Sequence, residues 1–307
     1  MHEKLDPHDR IVDHEPGLRA TGALLQLLPD RDGRLPEIRW TLPVGEVAHR
    51  ALVRLAAGGR RIECPELIGQ NRFGQPLVGG HQHAHVLPLD LDGDRLLDHV
   101  LIHVPSGIGP VARRTMRRLR QLRLSRTSFW RSLPASPAHH WHRCEEFPDL
   151  RLPVRYRCEV DRYGLPLRDR DLLPKRRMVR SAAPLEEPSR VSLHPRVDRL
   201  LTGARRWRTV TPLVPSRYLK KTGKNSLVGQ IQAELQSRQL PPASRIEVLA
   251  RFHGAACAYH VHRHRDKTPP PQLVAFSLVL QFDTPVSGPI VLGYASHFGL
   301  GLFHALP

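Results

Sequence analysis

The chain has little cysteine, little acidic charge and no long apolar run, and each shortage removes a class of function. Four cysteines, Cys64, Cys144, Cys158 and Cys257, are scattered through 307 residues without one C-x-x-C pair. That spacing argues against a zinc ribbon and against a disulfide framework, and it points to a reduced, cytoplasmic protein. No apolar stretch approaches the roughly 18–20 residues that a spanning helix needs, so no membrane partner is expected. The opening MHEKLDPHDRIVDHEPG puts no apolar segment behind its charges, which is not the pattern of a secretory signal. A P-loop, a dinucleotide fingerprint and a serine-nucleophile elbow are all missing. The 29 acidic residues are outnumbered by 47 Lys and Arg, leaving a formal charge of +18. A charge of that size calls for a polyanionic partner, and without a membrane segment that partner is nucleic acid.

What is present reads as α+β. ATGALLQLLP (20–29) has the character of a strand, and VGEVAHRALVRLAAGG (44–59) spaces Val44, Val47, Ala48, Ala51, Leu52 and Leu55 as a helix that stops on two glycines. HQHAHVLPLDLDGDRLLDHVLIHVP (81–105) reads as two strands turned at Asp92-Gly93. VARRTMRRLRQLRL (111–124) reads as a second, very basic helix. The plan then starts again with a strand at 207–214, a helix at 225–240 and strands at 245–265 and 272–282. This order predicts two ferredoxin-like (RRM-like) β-α-β-β-α-β units in tandem. The divisions are a polar leader (1–19), an N-terminal unit (20–130), a Pro/Arg-rich irregular connector (131–205) holding one strand at 154–160, and a C-terminal unit (206–307).

Two histidine runs carry possible chemistry. In GGHQHAHVLP, alternation along a strand would line up His81, His83 and His85 on one face. They could ligate zinc with a third group, one could act as a general base near its unperturbed pKa of about 6.5, or all three could simply be exposed. His260, His262 and His264 repeat the pattern among basic residues, with no nearby carboxylate to complete a metal set. DLDGD (90–94) has its glycine fourth rather than sixth and Leu101 where a calcium loop needs glutamate, so it reads as a turn. Arginine forks suited to phosphate recur at Arg113, Arg114, Arg117, Arg118 and Arg120, at Lys175, Arg176 and Arg177, and at Arg205, Arg206 and Arg208. Arg217, Lys220, Lys221 and Lys224 form a further basic group.

The last residues are the most specific. GPIVLGYASHFGLGLF sets Gly288, Gly293, Gly299 and Gly301 among bulky apolar side chains and lacks the G-K-[ST] ending of a P-loop. With Phe303 it resembles the C-terminal glycine-rich loop of the RAMP superfamily, the repeat-associated RNA-binding proteins of CRISPR systems. The 81–105 segment and WRTVTPLV are similar to the nuclease-like half of the fused fifth-and-sixth CRISPR-associated subunit of type I-G (formerly I-U) systems. That subunit normally begins with a further half, which caps the guide RNA's 5′ end and has no counterpart here. The resemblance implies a crRNA-processing endoribonuclease that cuts each repeat without metal or other cofactor and leaves a 2′,3′-cyclic phosphate. Its implied partners are CRISPR repeat RNA, retained as the crRNA 3′ hairpin, and the other subunits of a type I effector complex. The implied base is His81, His83 or His85, with His49 on the first helix in reserve. Gly293, His297, Gly299 and Gly301 would hold RNA backbone, and the arginine helix or the 217–224 group would grip the stem. A non-catalytic crRNA-binding subunit is the alternative.

Overall fold

A computed structural model of the chain describes residues 20–57, 64–71, 73, 75, 77, 81–125, 149–161, 166–167, 194–253, 258–261, 263 and 269–307. The leader 1–19, most of the connector, Lys175, Arg176, Arg177, His262 and His264 lie outside the described residues. The architecture is α+β, built on two sheets whose strand pairings are all antiparallel.

The first sheet contains β1 (Ala20–Leu27), β2 (His85–Leu89), β3 (His99–His103), β4 (Gln121–Leu124) and β5 (Leu150–Asp161). They lie in the spatial order β2-β3-β1-β5-β4, and the short β6 (Pro166–Leu167) pairs with β5. Helices α1 (Thr41–Ala57), α2 (Pro65–Ile68) and α3 (Pro110–Arg118) belong to this half. In α1, Val44, Ala48 and Leu52 recur every fourth residue and so share one stripe, which meets Val86, Val100 and Ile102 of the sheet. Both faces of this sheet are covered, and all five residues of β2 are accordingly buried. On the second face, Leu24, Leu87, Leu89 and Leu101 meet Val197, Leu200 and Leu201 of α4 (Pro195–Leu201), joined by Val291 and Leu302 from the end of the chain. An RRM keeps such a face open to stack RNA bases on it. Here an intramolecular roof occupies it.

The structure redraws two segments. The basic helix expected over 111–124 ends at Arg118, where Leu119 turns extended, and residues 121–124 form β4. The reason is a change of period: Leu122 and Leu124 are buried while Gln121 and Arg123 are exposed, an alternation that suits a strand paired with β5. β5 falls within the connector, yet it pairs with both β1 and β4 at the heart of the first sheet.

The second sheet holds β7 (Gly203–Thr209), β8 (Arg245–His253), β9 (Val274–Ser287) and β10 (Phe303–Ala305), in the order β10-β7-β9-β8. Trp207, Leu278, Leu280 and Phe282 face Ile231 and Leu235 of α5 (Leu227–Ser237). On the opposite face the strand register places Arg206, Gln281 and Arg245 in one exposed row. Between β9 and β10, where a second helix would stand, the chain instead runs through the glycine-rich segment, with a single 3-10 turn at Ser296–Phe298.

Candidate active site

The glycine-rich segment of the second half docks on the first half, and this brings the histidines together. His297 lies at the centre. Its ring stacks on His83 and His85 at centroid distances of 4.1 Å each, and lies 5.3 Å from the ring of His81. Only His85 stands in a strand, because β2 begins there; His81 and His83 precede it, but alternation still aims all three rings at one partner. His103 ends β3 directly opposite His85 in the ladder, with ring centroids 6.3 Å apart. His49 on α1 lies 3.0 Å through Nε2 from the carbonyl oxygen of Leu67 and sets its ring edge-on to Phe298.

The hydrogen bonds assign the tautomers. His297 Nδ1 lies 3.3 Å from the carbonyl oxygen of Ala84, which can only accept, so Nδ1 carries the proton. In neutral His297, Nε2 is then an acceptor, and His81 Nδ1, 3.1 Å away, donates to it. That leaves His81 Nε2 as a bare lone pair. Burial is the main cause holding these imidazoles neutral. It puts His85 and His297 well below the ordinary range, helped by neighbouring imidazoles, and His103 at about 4. His81 is lowered by burial and then by Arg238, and His49 by burial.

Two cations bracket the cluster. Arg238, just past the end of α5, donates to Ser296 Oγ at 3.1 Å and pairs with Glu234 at 3.2 Å. Arg263 reaches across to Glu46, buried on α1, at 3.0 Å, with its guanidinium 4.5 Å from the centre of the Phe298 ring.

The glycines of the segment let it pack closely against the protein's own atoms. Gly299 has φ +95°, and a Cβ there would stand 2.8 Å from Thr41 Cγ2 and 2.9 Å from Pro88 Cδ. Facing it, a Cβ on Gly45 of α1 would sit 2.5 Å from the carbonyl oxygen of Phe298. Gly301 is buried against Leu292, and Gly293 donates its N–H to Glu234. Only glycine permits this approach between the loop and the first half.

The basic candidates divide. Arg113 is bound at 2.9 Å to both oxygens of buried Glu159, which also accepts from the Tyr156 hydroxyl. Arg117 lies over the Tyr156 ring and 3.8 Å from Glu159. These two are committed to the fold. Arg114 and Arg118 point outward. Arg217, Lys220, Lys221 and Lys224 are exposed on one loop before α5, whose main chain is pinned by buried Gln230 through Arg217 and Asn225.

Sequence reasoning missed His103, Arg238 and Glu159. The hairpin register of 81–105 would have set His103 opposite His85, and the i,i+4 spacing of Glu234 and Arg238 marked an ion pair at the helix end. Among the described residues, no three histidine or cysteine ligand atoms gather closely enough to share an ion. Asp90, Asp92 and Asp94 do gather, but their carboxylates accept main-chain N–H bonds from Gly93, Asp94, Arg95 and Leu96, as a turn requires. No helix among the described residues is long and apolar enough to cross a membrane. No protein-family model, curated protein or solved structure matches the chain.

Proposed function

We propose that the chain binds CRISPR repeat RNA, cleaves one phosphodiester in it without metal, and stays on the product's 3′ hairpin as a subunit of a type I effector complex. The observation that carries this reading is the His81–His297 pair, joined across the two halves with the Nε2 lone pair of His81 left over. Strand order supports it as well. The second sheet sets its first strand between its third and its last, the arrangement of a ferredoxin-like unit, with the glycine-rich segment in place of a second helix; the first sheet follows the β2-β3-β1 part of that order and inserts β5 between β1 and β4.

His81 Nε2 takes the proton of a 2′-hydroxyl, and that oxygen attacks the adjacent phosphorus in line. His297 shares the positive charge that builds on His81, as the orienting member of a hydrogen-bonded pair does. The proton taken up at His81 passes through a water to the departing 5′ oxygen, which restores the neutral imidazole and gives a 2′,3′-cyclic phosphate and a 5′-hydroxyl. Arg238 supplies positive charge beside the pair for the phosphorane oxygens. The exposed Arg217, Lys220, Lys221 and Lys224 grip RNA phosphates.

A labelled repeat hairpin, incubated in excess EDTA beside the same RNA with a 2′-deoxy residue at the cut, tests the reading. Cleavage of the first alone is expected, and His81→Ala should slow it roughly 100-fold or more with binding retained. Equal cleavage of both RNAs, or cleavage unchanged by His81→Ala, would overturn the assignment. Binding without cleavage of either would instead support a crRNA-binding subunit. That reading is favoured by the burial of His85 and the low basicity of His297, which suit rings that only cement the joint.

A further inference from the structure

At the other end of β2 from the histidines, a pocket of about 350 Å³ opens between the two halves. Its wall is apolar, formed by Ile38, Leu89, Leu97, Leu200 and Val210 with Tyr259 beside them. One side is strongly basic. Arg196 and Arg199 of α4 line it together with His304 of β10, and Arg208 stands opposite His304 in the ladder. Burial first, and then the charges of Arg199, Arg208 and Arg196, lower the basicity of His304. Asp90 offsets only one of the cations: Arg196 Nη1 donates to the Asp90 carbonyl at 3.0 Å and lies 3.6 Å from its carboxylate. Arg199 makes no hydrogen bond and no ion pair among the described residues.

A volume at the lower end of those that hold a small organic ligand, with an apolar wall and convergent cations on one side, is the design of a ligand site. Two guanidinium forks and an imidazole suit an oxyanion carrying two negative charges better than the single charge of a phosphodiester. We infer that this pocket binds a phosphate monoester on a nucleoside-sized body, with the phosphate held by Arg196, Arg199 and His304 and the body laid on the Leu89–Leu97–Val210 wall. A free mononucleotide and the phosphorylated end of an RNA present the same chemistry. The inference stands apart from RNA cleavage, since none of these residues belongs to the histidine cluster.

Calorimetric titration of the full chain tests it, with adenosine 5′-monophosphate, adenosine and inorganic phosphate as probes. The monophosphate should saturate one site, and adenosine and phosphate should each bind at least roughly tenfold more weakly. Arg199→Ala should weaken the monophosphate roughly tenfold. Val210→Trp, at a partly exposed position, should block it by filling the pocket, while His81→Ala leaves it unchanged. A short RNA with a 3′-phosphate, compared with its 3′-hydroxyl twin, separates the sources. Preference for the phosphorylated end assigns the pocket to RNA termini, and binding of the mononucleotide alone assigns it to a free ligand. No saturation by either at millimolar concentration, or affinity undiminished in both pocket variants, would overturn the inference.

Discussion

In the first sheet both faces are roofed, by α1 and α3 on one side and by α4 with Val291 and Leu302 on the other. The second sheet has α5 on one face and leaves Arg206, Gln281 and Arg245 in solvent on the other. The first half packs α1 and α3 on its sheet, whereas the second packs α5 alone and runs its glycine-rich segment, between β9 and β10, onto its neighbour. Charge is used differently as well. Arg113 and Arg117 on α3 are drawn to internal Glu159, while the 217–224 loop leaves all four of its cations outside. The lesson is that the histidine cluster belongs to neither half alone, and that a basic run in the sequence can be spent inside the fold or left in solvent, which only the packing decides.

Trp207→Ala is the strongest way to break this comparison. Trp207 is fully buried in the second half, and its loss should cost about 4 kcal/mol. Because the second half roofs the first, urea unfolding should remain a single transition at a lower midpoint, whereas two separate transitions would show that the halves stand independently. Glu159→Ala probes the first half. It strands Arg113 and the Tyr156 hydroxyl beside a cavity, and a loss of about 3 kcal/mol in chemical denaturation is expected. Acidification tests the joint. His103 titrates at about 4 in the fold against 6.5 in the unfolded chain, so below pH 6.5 the unfolded state binds the extra proton and stability falls until pH 4. Part of His103 reaches solvent, so its share is about 2 kcal/mol, less than the full shift would give. His103→Leu should remove that share of the slope of stability against pH. The smallest effect on stability is the most informative about RNA. Replacing Lys220, Lys221 and Lys224 with alanine should change stability by less than about 0.5 kcal/mol yet lower the salt slope of RNA binding by about one per lysine. Arg113→Ala should do the reverse, losing stability while leaving that slope unchanged.

Most elements were legible because their periods are clean. Val44, Ala48 and Leu52 marked α1, the apolar run 272–282 marked most of β9, and the histidines at 81, 83 and 85 announced a cluster. What escaped was tertiary. Leu122 and Leu124 continue an arginine-rich run and look helical until β5 is there to pair with them. The glycines signalled close approach, but nothing local says that Gly299 meets Thr41 and Pro88 of the first half while Gly293 meets the carbonyl of Val214. The sequence offered His297 as an RNA contact and gave no sign that its ring stacks on His83 and His85, a relation that depends on how the two halves dock. Arg196, Arg199 and His304 are unremarkable in sequence and become a group only where α4 meets β10.

The two imidazoles of the central pair are 216 residues apart. A ribosome therefore makes His81 long before His297, and during that interval the nascent first half can fold no more than one side of the cluster. A chain cleaved anywhere between the two halves would keep His81, His83 and His85 yet lose the ring that gathers them.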